Sequence, residues 1–552
     1  MNGEGRKTEN IAMAKPLPHN GPMAEAMQKP LFQGLLVLGV SLLFYSLSQS
    51  GAIRSPDGET VFSSCVTLLQ DGTLAQPMHP ELKTAGLAWG EDSRLYPVFG
   101  PLQSLAAAPL TAAGVALADR GFFDTWQDGP VSYYVGSGVQ TVLMGAPRQD
   151  PRGHGVRFVA SLFNVLVSGL TVLAFWLALL RLQVGPNSRL ATSLLLAFGT
   201  LLWPYSATFF SEPLALLFTL LSFAALLPPG PHQPRESLAE RFILPAVSGL
   251  LLGLAVAAHI SAALFAPFFV LALAWAEENA SPAQRATSVA AFCLGLALPL
   301  SALGWYNLQR FGSVLETGRF ADPDLAARYG YGHFVWPFMN LYRLLLSSAK
   351  GLVLFCPAAV AGLFFWHRFA GRSGRIALVV LLAVAFRLVF IACRSDWHGG
   401  FSPGPRYLLM AVPFLLIPLA MHSDFPKGLD RPPKWWYLLM AAAVTGQVYL
   451  WLFDSFAFSF MARNRLETLG FDAGQIFDGY ELYTNAAVAP YFNLDRAPVA
   501  ALWWRHLPMA PRHLWFLLSG VTLAVVFGVY ALVARVNNQK LKEAVESLGK
   551  LR

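Results

Sequence analysis

The stretch SPDGET, residues 55–60, sets two carboxylates, Asp57 and Glu59, directly after a long apolar run. A carboxylate at a membrane face can take a proton from an attacking hydroxyl, which is the work of a general base. The same residues suit the start of a helix over 59–70, with Asp57 as its N-cap and Glu59 in the first turn, where the helix dipole favours negative charge. Capping and catalysis are compatible. Further along, EDSRLYPVFGP (91–101) offers Arg94 and Tyr96 before a Pro-Gly turn, and SEPLALLF (211–218) puts Glu212 ahead of a proline suited to a helix start.

The cations come later. Lys350 in LLLSSAKG (344–351) stands at the end of an apolar run, where a lysine can snorkel to water or meet an anion. RSDWHGGFSPGPRY (394–407) gathers Arg394, Asp396, His398 and Arg406 among glycines and prolines, the densest polar cluster in the chain. Glycine-rich backbone can approach a ligand closely, and an arginine at the head of a helix is placed to pair with phosphate.

The elements that must position these groups are membrane helices. Of 552 residues, 55% are hydrophobic and only 13% charged, about half the charged share of an average soluble protein. Apolar runs of about the 20 residues needed to cross a bilayer recur along nearly the whole chain. Expected spans are 31–50, 156–180, 190–207, 210–228, 242–258, 260–276, 287–306, 351–367, 376–393, 406–421, 435–454 and 513–534. This makes an all-α polytopic protein of about twelve transmembrane helices. With the tail 1–30 inside, the Lys- and Arg-rich connections, among them HRFAGRSGR (367–375) and the tail 536–552, fall on the cytoplasmic side, as the positive-inside rule asks. The run 102–118, 17 residues with an internal Pro109 and Gly114, is read as an interfacial helix, because counting it as a span would put the later basic loops outside. Long outer loops then cover 51–155 and 307–349 around a membrane domain of 31–455. A further outer region, 456–512, precedes the last helix, 513–535.

Other classes are disfavoured. The net charge of +8 is scattered through short loops, which fits topology and not a nucleic-acid footprint. There is no P-loop or Gly-rich strand-to-helix turn, so an activated substrate is not expected to be a soluble nucleotide. Cys65, Cys293, Cys356 and Cys393 lack metal-ligand spacing and imply no disulfide framework. No organic cofactor is implied, and a divalent cation beside the carboxylates is left open. The first helix lacks a small-residue cleavage site and is expected to be retained.

Six segments in order, SPDGETVFSSCVTLLQDGTL, YPVFGPLQSLAAAPL, FSEPLALLF, RFGSVLETG, SSAKGLVLFCP and WHGGFSPGPRYLLMAVPF, resemble the GT-C superfamily of membrane glycosyltransferases, in particular protein O-mannosyltransferases and lipid A aminoarabinose transferases. They span about 55 to 420. The resemblance implies a polyprenyl-phosphate sugar donor, a glycan, lipid or protein acceptor, and a site on the outer face of a bacterial inner membrane. It also implies a catalytic base at Asp57 or Glu59 and donor-phosphate cations at Lys350 and Arg406, with Arg394 and His398 expected to bind the donor phosphate beside them. Arg94, Tyr96 and Glu212 would line the substrates. Where the family more often has a Lys-Tyr-Gly-Pro-like turn, this chain has Val98, Phe99, Gly100 and Pro101. The competing reading is a transporter or flippase of an amphipathic lipid-linked substrate. That class calls for polar residues at mid-membrane and broken helices in paired positions. Here the charged candidates crowd the outer ends, with His259 and Arg387 the main exceptions, and no internal repeat is found.

Overall fold

A computed structural model describes residues 30–49, 53, 55–77, 86–124, 151–228, 235, 237, 239–275, 280–321, 332–347, 350–400, 402–422 and 434–452. The expected outer region 456–512, last span 513–535 and tail 536–552 lie outside the described residues, as does the tail 1–30 apart from Pro30.

Prolines open many of the helices. Pro56, Pro101, Pro186, Pro282, Pro337 and Pro357 each stand in a first turn, where a missing N–H costs nothing. In chain order, α1 is Pro30–Leu47, α2 Pro56–Asp71, α3 Pro101–Asp119, α4 Pro151–Arg181, α5 Pro186–Phe198, α6 Leu202–Ser206 and α7 Glu212–Leu226. Then come α8 Leu244–Ala258, α9 Ala266–Trp275, α10 Pro282–Phe311, α11 Pro337–Leu346, α12 Leu352–Phe355, α13 Pro357–Phe364, α14 Trp366–Ala392, α15 Val412–His422 and α16 Lys434–Leu452. A short antiparallel hairpin, β1 Leu87–Trp89 with β2 Leu95–Pro97, pairs Ala88 with Tyr96.

Among the described residues six helices are long and apolar enough to cross a membrane: α1, α3, Gly155–Arg181 within α4, Ala239–Ala258, α10 and α14. Glu212–Leu226, Ile260–Trp275 and Arg406–His422 are apolar but shorter. The run expected as an interfacial helix is a continuous 19-residue helix with Pro109 inside it, long and apolar enough to cross a membrane. Two details differ from the sequence expectation. The expected loop 367–375 is helical on both sides of a single break at Ser373 (φ −149°, ψ 59°), between Arg372 and Arg375. The expected span 351–367 is two short pieces, α12 and α13, parted at Cys356, which precedes Pro357.

Small residues let helices touch backbone to backbone, as membrane bundles require. A Cβ on Gly249 of α8 would stand 2.0 Å from the Phe292 carbonyl of α10, and one on Gly295 would stand 1.9 Å from that of Ala246. Buried polar side chains tie the helix ends that carry the site. Tyr45 donates to the Ala197 carbonyl (2.9 Å), and Trp203 Nε1 to Ser48 Oγ (3.0 Å). Gln103 of α3 donates to Asn164 of α4 (3.0 Å), whose Nδ2 donates to the Phe210 carbonyl (2.8 Å). That last pair holds the turn leading into Glu212.

Candidate active site

Helix α2 begins immediately after the exit of α1. Its N-cap is Ser55, whose side chain accepts from the Gly58 N–H at 3.0 Å, with Pro56 next in line. The expectation that Asp57 is the cap is thereby corrected: a serine before a proline is the better cap, and Asp57 sits inside the first turn with its carboxylate free to reach outward. It reaches Arg406. Glu59, two positions on, is about 200° further round the helix at ~100° per residue and points elsewhere. It is fully buried against Arg157 of α4, which donates to it through Nε at 3.0 and 3.2 Å and through Nη2, while its guanidinium lies 4.9 Å from the Phe62 ring centre.

Arg406 is the hub. Its Nη1 donates to Asp57 Oδ2 at 2.8 Å and its Nε to Glu212 Oε1 at 2.5 Å, with the guanidinium 3.6 Å from the Phe210 ring centre. Glu212, the first residue of α7, is wholly buried, whereas the Asp57 side chain is 38% exposed. A buried carboxylate is tolerable only when paired and hydrogen-bonded. Glu212 has Arg406 on both oxygens, Nε on Oε1 and Nη2 on Oε2 (3.5 Å), and His259 Nε2 3.5 Å from Oε1. His259 stands at the turn between α8 and the 3-10 segment Ile260–Phe265, and its Nδ1 accepts from the Ser261 N–H (3.3 Å), which leaves the Nε2–H for Glu212. Ser261 Oγ is also 2.8 Å from that Nδ1 and receives Arg387 Nη2 at 3.0 Å. Arg387, buried in α14, donates further to the carbonyls of Ser261 (2.8 Å) and Tyr407 (2.8 and 3.0 Å). A polar chain therefore runs from α14 through His259 and Glu212 to Arg406 and ends at Asp57, its solvent-reaching member.

Lys350 is not a free surface cation. It is 1% exposed, and its Nζ donates to the carbonyls of Gly400 (2.7 Å) and Ser402 (2.6 Å), which folds the glycine-rich loop over it. Burial, then the charge of Arg406, pushes its pKa well below the ordinary lysine range. His398 Nδ1 accepts from the Gly400 N–H at 2.9 Å, and burial, with Lys350 second, holds its imidazole well below the ordinary value. Gly399 and Gly400 take φ of +64° and +75°, which the tight loop requires. Arg394 forms a forked pair with Asp396, one arm at 2.6 Å, and lies 5.7 Å from the Tyr407 ring centre.

Asp57, Glu212, Arg406 and, behind them, Lys350 and His398 are thus assembled at one end of the bundle. Arg94 and Tyr96 are not joined to them. They lie on the hairpin, where Tyr96 donates to Asp92 at 2.7 Å and the Arg94 side chain is mostly exposed, 3.8 Å from the same carboxylate. Burial and its bond to Asp92 push the Tyr96 hydroxyl up to about 12. Arg157, Phe210, Ser261 and Tyr407 were not singled out as site residues by sequence. His259 and Arg387 carried a signal, as ionisable residues within or between apolar runs. Among the described residues, no group of three or more His, Cys, Asp or Glu side chains converges in a way that could hold a metal ion.

No protein-family model and no curated protein matches this sequence. Solved structures do. An archaeal oligosaccharyltransferase, AglB from Archaeoglobus fulgidus, solved with an inhibitory peptide and a dolichol-phosphate, is 12% identical with a TM-score of 0.45, over 86% of this chain and 61% of its own. ArnT from Cupriavidus metallidurans, solved with undecaprenyl phosphate, is 15% identical with a TM-score of 0.46, over 92% and 78%. At these identities and scores the likeness lies in the overall chain trace, and no residue's role is taken from it. This chain spans only 61% of the length of AglB.

Proposed function

We propose that the protein is a membrane glycosyltransferase that moves a sugar from a polyprenyl-phosphate donor to an acceptor hydroxyl at the outer face of a bacterial inner membrane. The observation that carries this reading is the division of one guanidinium between a buried carboxylate and an exposed one. Glu212 fixes the orientation of Arg406, while the Asp57 side is open to solvent. A donor phosphate arriving there meets a planar fork already aimed at an anion. As the phosphate engages Arg406, Asp57 is released from its partner within reach of the acceptor.

In the transfer step Asp57 takes the proton of the acceptor hydroxyl as its oxygen bonds to the anomeric carbon, and the bond from that carbon to the phosphate oxygen breaks. The polyprenyl phosphate leaves with the electron pair, stabilised by Arg406. One displacement with one base inverts the anomeric centre. Lys350 and His398 serve by holding the loop behind Arg406, and Arg94 and Tyr96 take no part in this step. Comparison of lipid extracts from wild-type and deletion cells tests the reading. Accumulation of one polyprenyl-phosphate sugar on deletion is expected, and an unchanged set of such lipids would overturn it.

A further inference from the structure

Helix α11 is amphipathic with its apolar face turned away from the protein. Trp336, just before it, and Phe338 are 84% and 75% exposed and stack with ring planes 6° apart. Met339, Tyr342 and Leu346 are exposed beside them, so positions 338, 342 and 346 form one stripe at the spacing of successive turns. The inward face carries the helix's polar side chains together with Leu344, which packs on Ile391 and Trp397. Asn340 is buried and donates to the Ala392 carbonyl at 2.9 Å, and the Arg343 guanidinium lies 5.5 Å from the Trp397 ring centre. A helix facing water has the opposite arrangement.

The outward face continues a surface that is already apolar. On α14, one of the helices able to cross a membrane, Leu378, Leu382, Phe386 and Val389 are exposed along one side. The rings of Phe386 and Phe390 lie 6.2 Å apart, and Phe334 lies 6.0 Å beyond Phe390. The stripe thus passes from α14 to the segment before α11. Backbone bonds fix that segment there: the Val335 N–H donates to the Cys393 carbonyl (2.6 Å), and the Ser395 N–H to that of His333 (3.1 Å).

We propose that residues 334–346 are a membrane-surface element, with α11 lying in the plane of the bilayer interface at the end of the bundle where Arg406 stands. Its partner is the lipid leaflet itself, whose acyl boundary receives Trp336, Phe338, Tyr342 and Leu346. Arrangement and continuity with α14 argue for lipid over a protein partner, which would need no match to a spanning helix. The later part of the expected outer loop 307–349 is then not in water. Since Lys350 follows α11 by four residues, the rim of the site on this side is bounded by lipid, which suits a lipid-linked substrate if the proposed function holds.

Spin labels on single cysteines, Phe338→Cys, Tyr342→Cys and Leu346→Cys, in a cysteine-free protein in phosphatidylethanolamine–phosphatidylglycerol vesicles test this without reference to activity. Collision with oxygen should exceed collision with a water-soluble nickel chelate at all three, while Arg94→Cys on the hairpin shows the reverse. Chelate-dominated collisions at 338 and 342 would place the helix in water. Low accessibility to both reagents would place it under a protein partner or a second copy, and either result overturns the proposal. Should the cysteine-free chain not fold, brominated lipid should quench the wild-type tryptophan emission by a larger fraction than that of Trp336→Phe. Equal fractions would likewise overturn it.

Discussion

Arg406 Nη1 stands 2.8 Å from Asp57 Oδ2, an ion pair between residues 349 positions apart that joins the exit of the first helix to the glycine-rich loop. On the proposed function, a donor phosphate would compete with Asp57 for the same N–H. Asp57→Asn should therefore keep or strengthen the binding of undecaprenyl phosphate while turnover falls by about 10²–10⁴, the usual share of a general base. Titration of the purified variant with that lipid, beside a transfer assay, measures both. Normal transfer by well-folded Asp57→Asn would remove it as the base.

Glu59→Gln should behave differently. Glu59 is buried and its carboxylate faces Arg157, so its loss leaves a guanidinium half-partnered between α2 and α4. The melting temperature in detergent should fall, with turnover per folded molecule reduced less than tenfold. A dead enzyme of unchanged melting temperature would make Glu59 the base instead.

Arg406→Lys tests the fork. An ammonium can meet Glu212 or Asp57 but lacks the planar geometry to hold one while offering donors to the other, so charge is conserved and orientation is lost. If Arg406 holds the donor phosphate as proposed, turnover should drop by about 10²-fold or more and undecaprenyl phosphate affinity should weaken. Wild-type affinity in Arg406→Lys would mean that the phosphate is held elsewhere.

The sequence made the helical class and the polar clusters legible because both are local: apolar runs, prolines and the order of the charged stretches. Pairings were not. That Asp57 and not Glu59 faces Arg406 depends on Ser55 taking the cap, two residues before the expected cap at Asp57, a shift worth about 200° round the helix. That Lys350 folds a loop over itself follows from two backbone carbonyls, which no residue type announces. His259 becomes meaningful only when the turn after α8 is laid beside the start of α7, and the outward face of α11 only when α14 is known to run next to it.

His398 gives a pH signature of stability. Its ordinary pKa is 6.5 and its folded value lies well below that, so between the two the unfolded chain binds the extra proton. Its contribution to stability is present in full above about 6.5 and is lost as pH falls toward the folded value. His398→Gln keeps an acceptor for the Gly400 N–H but cannot titrate in this range. Between pH 7.5 and 5.5 the wild-type melting temperature in detergent should fall further than that of His398→Gln, and the glycine-rich loop should loosen first in hydrogen exchange. Equal losses in the two proteins would show that the loop does not depend on a neutral imidazole.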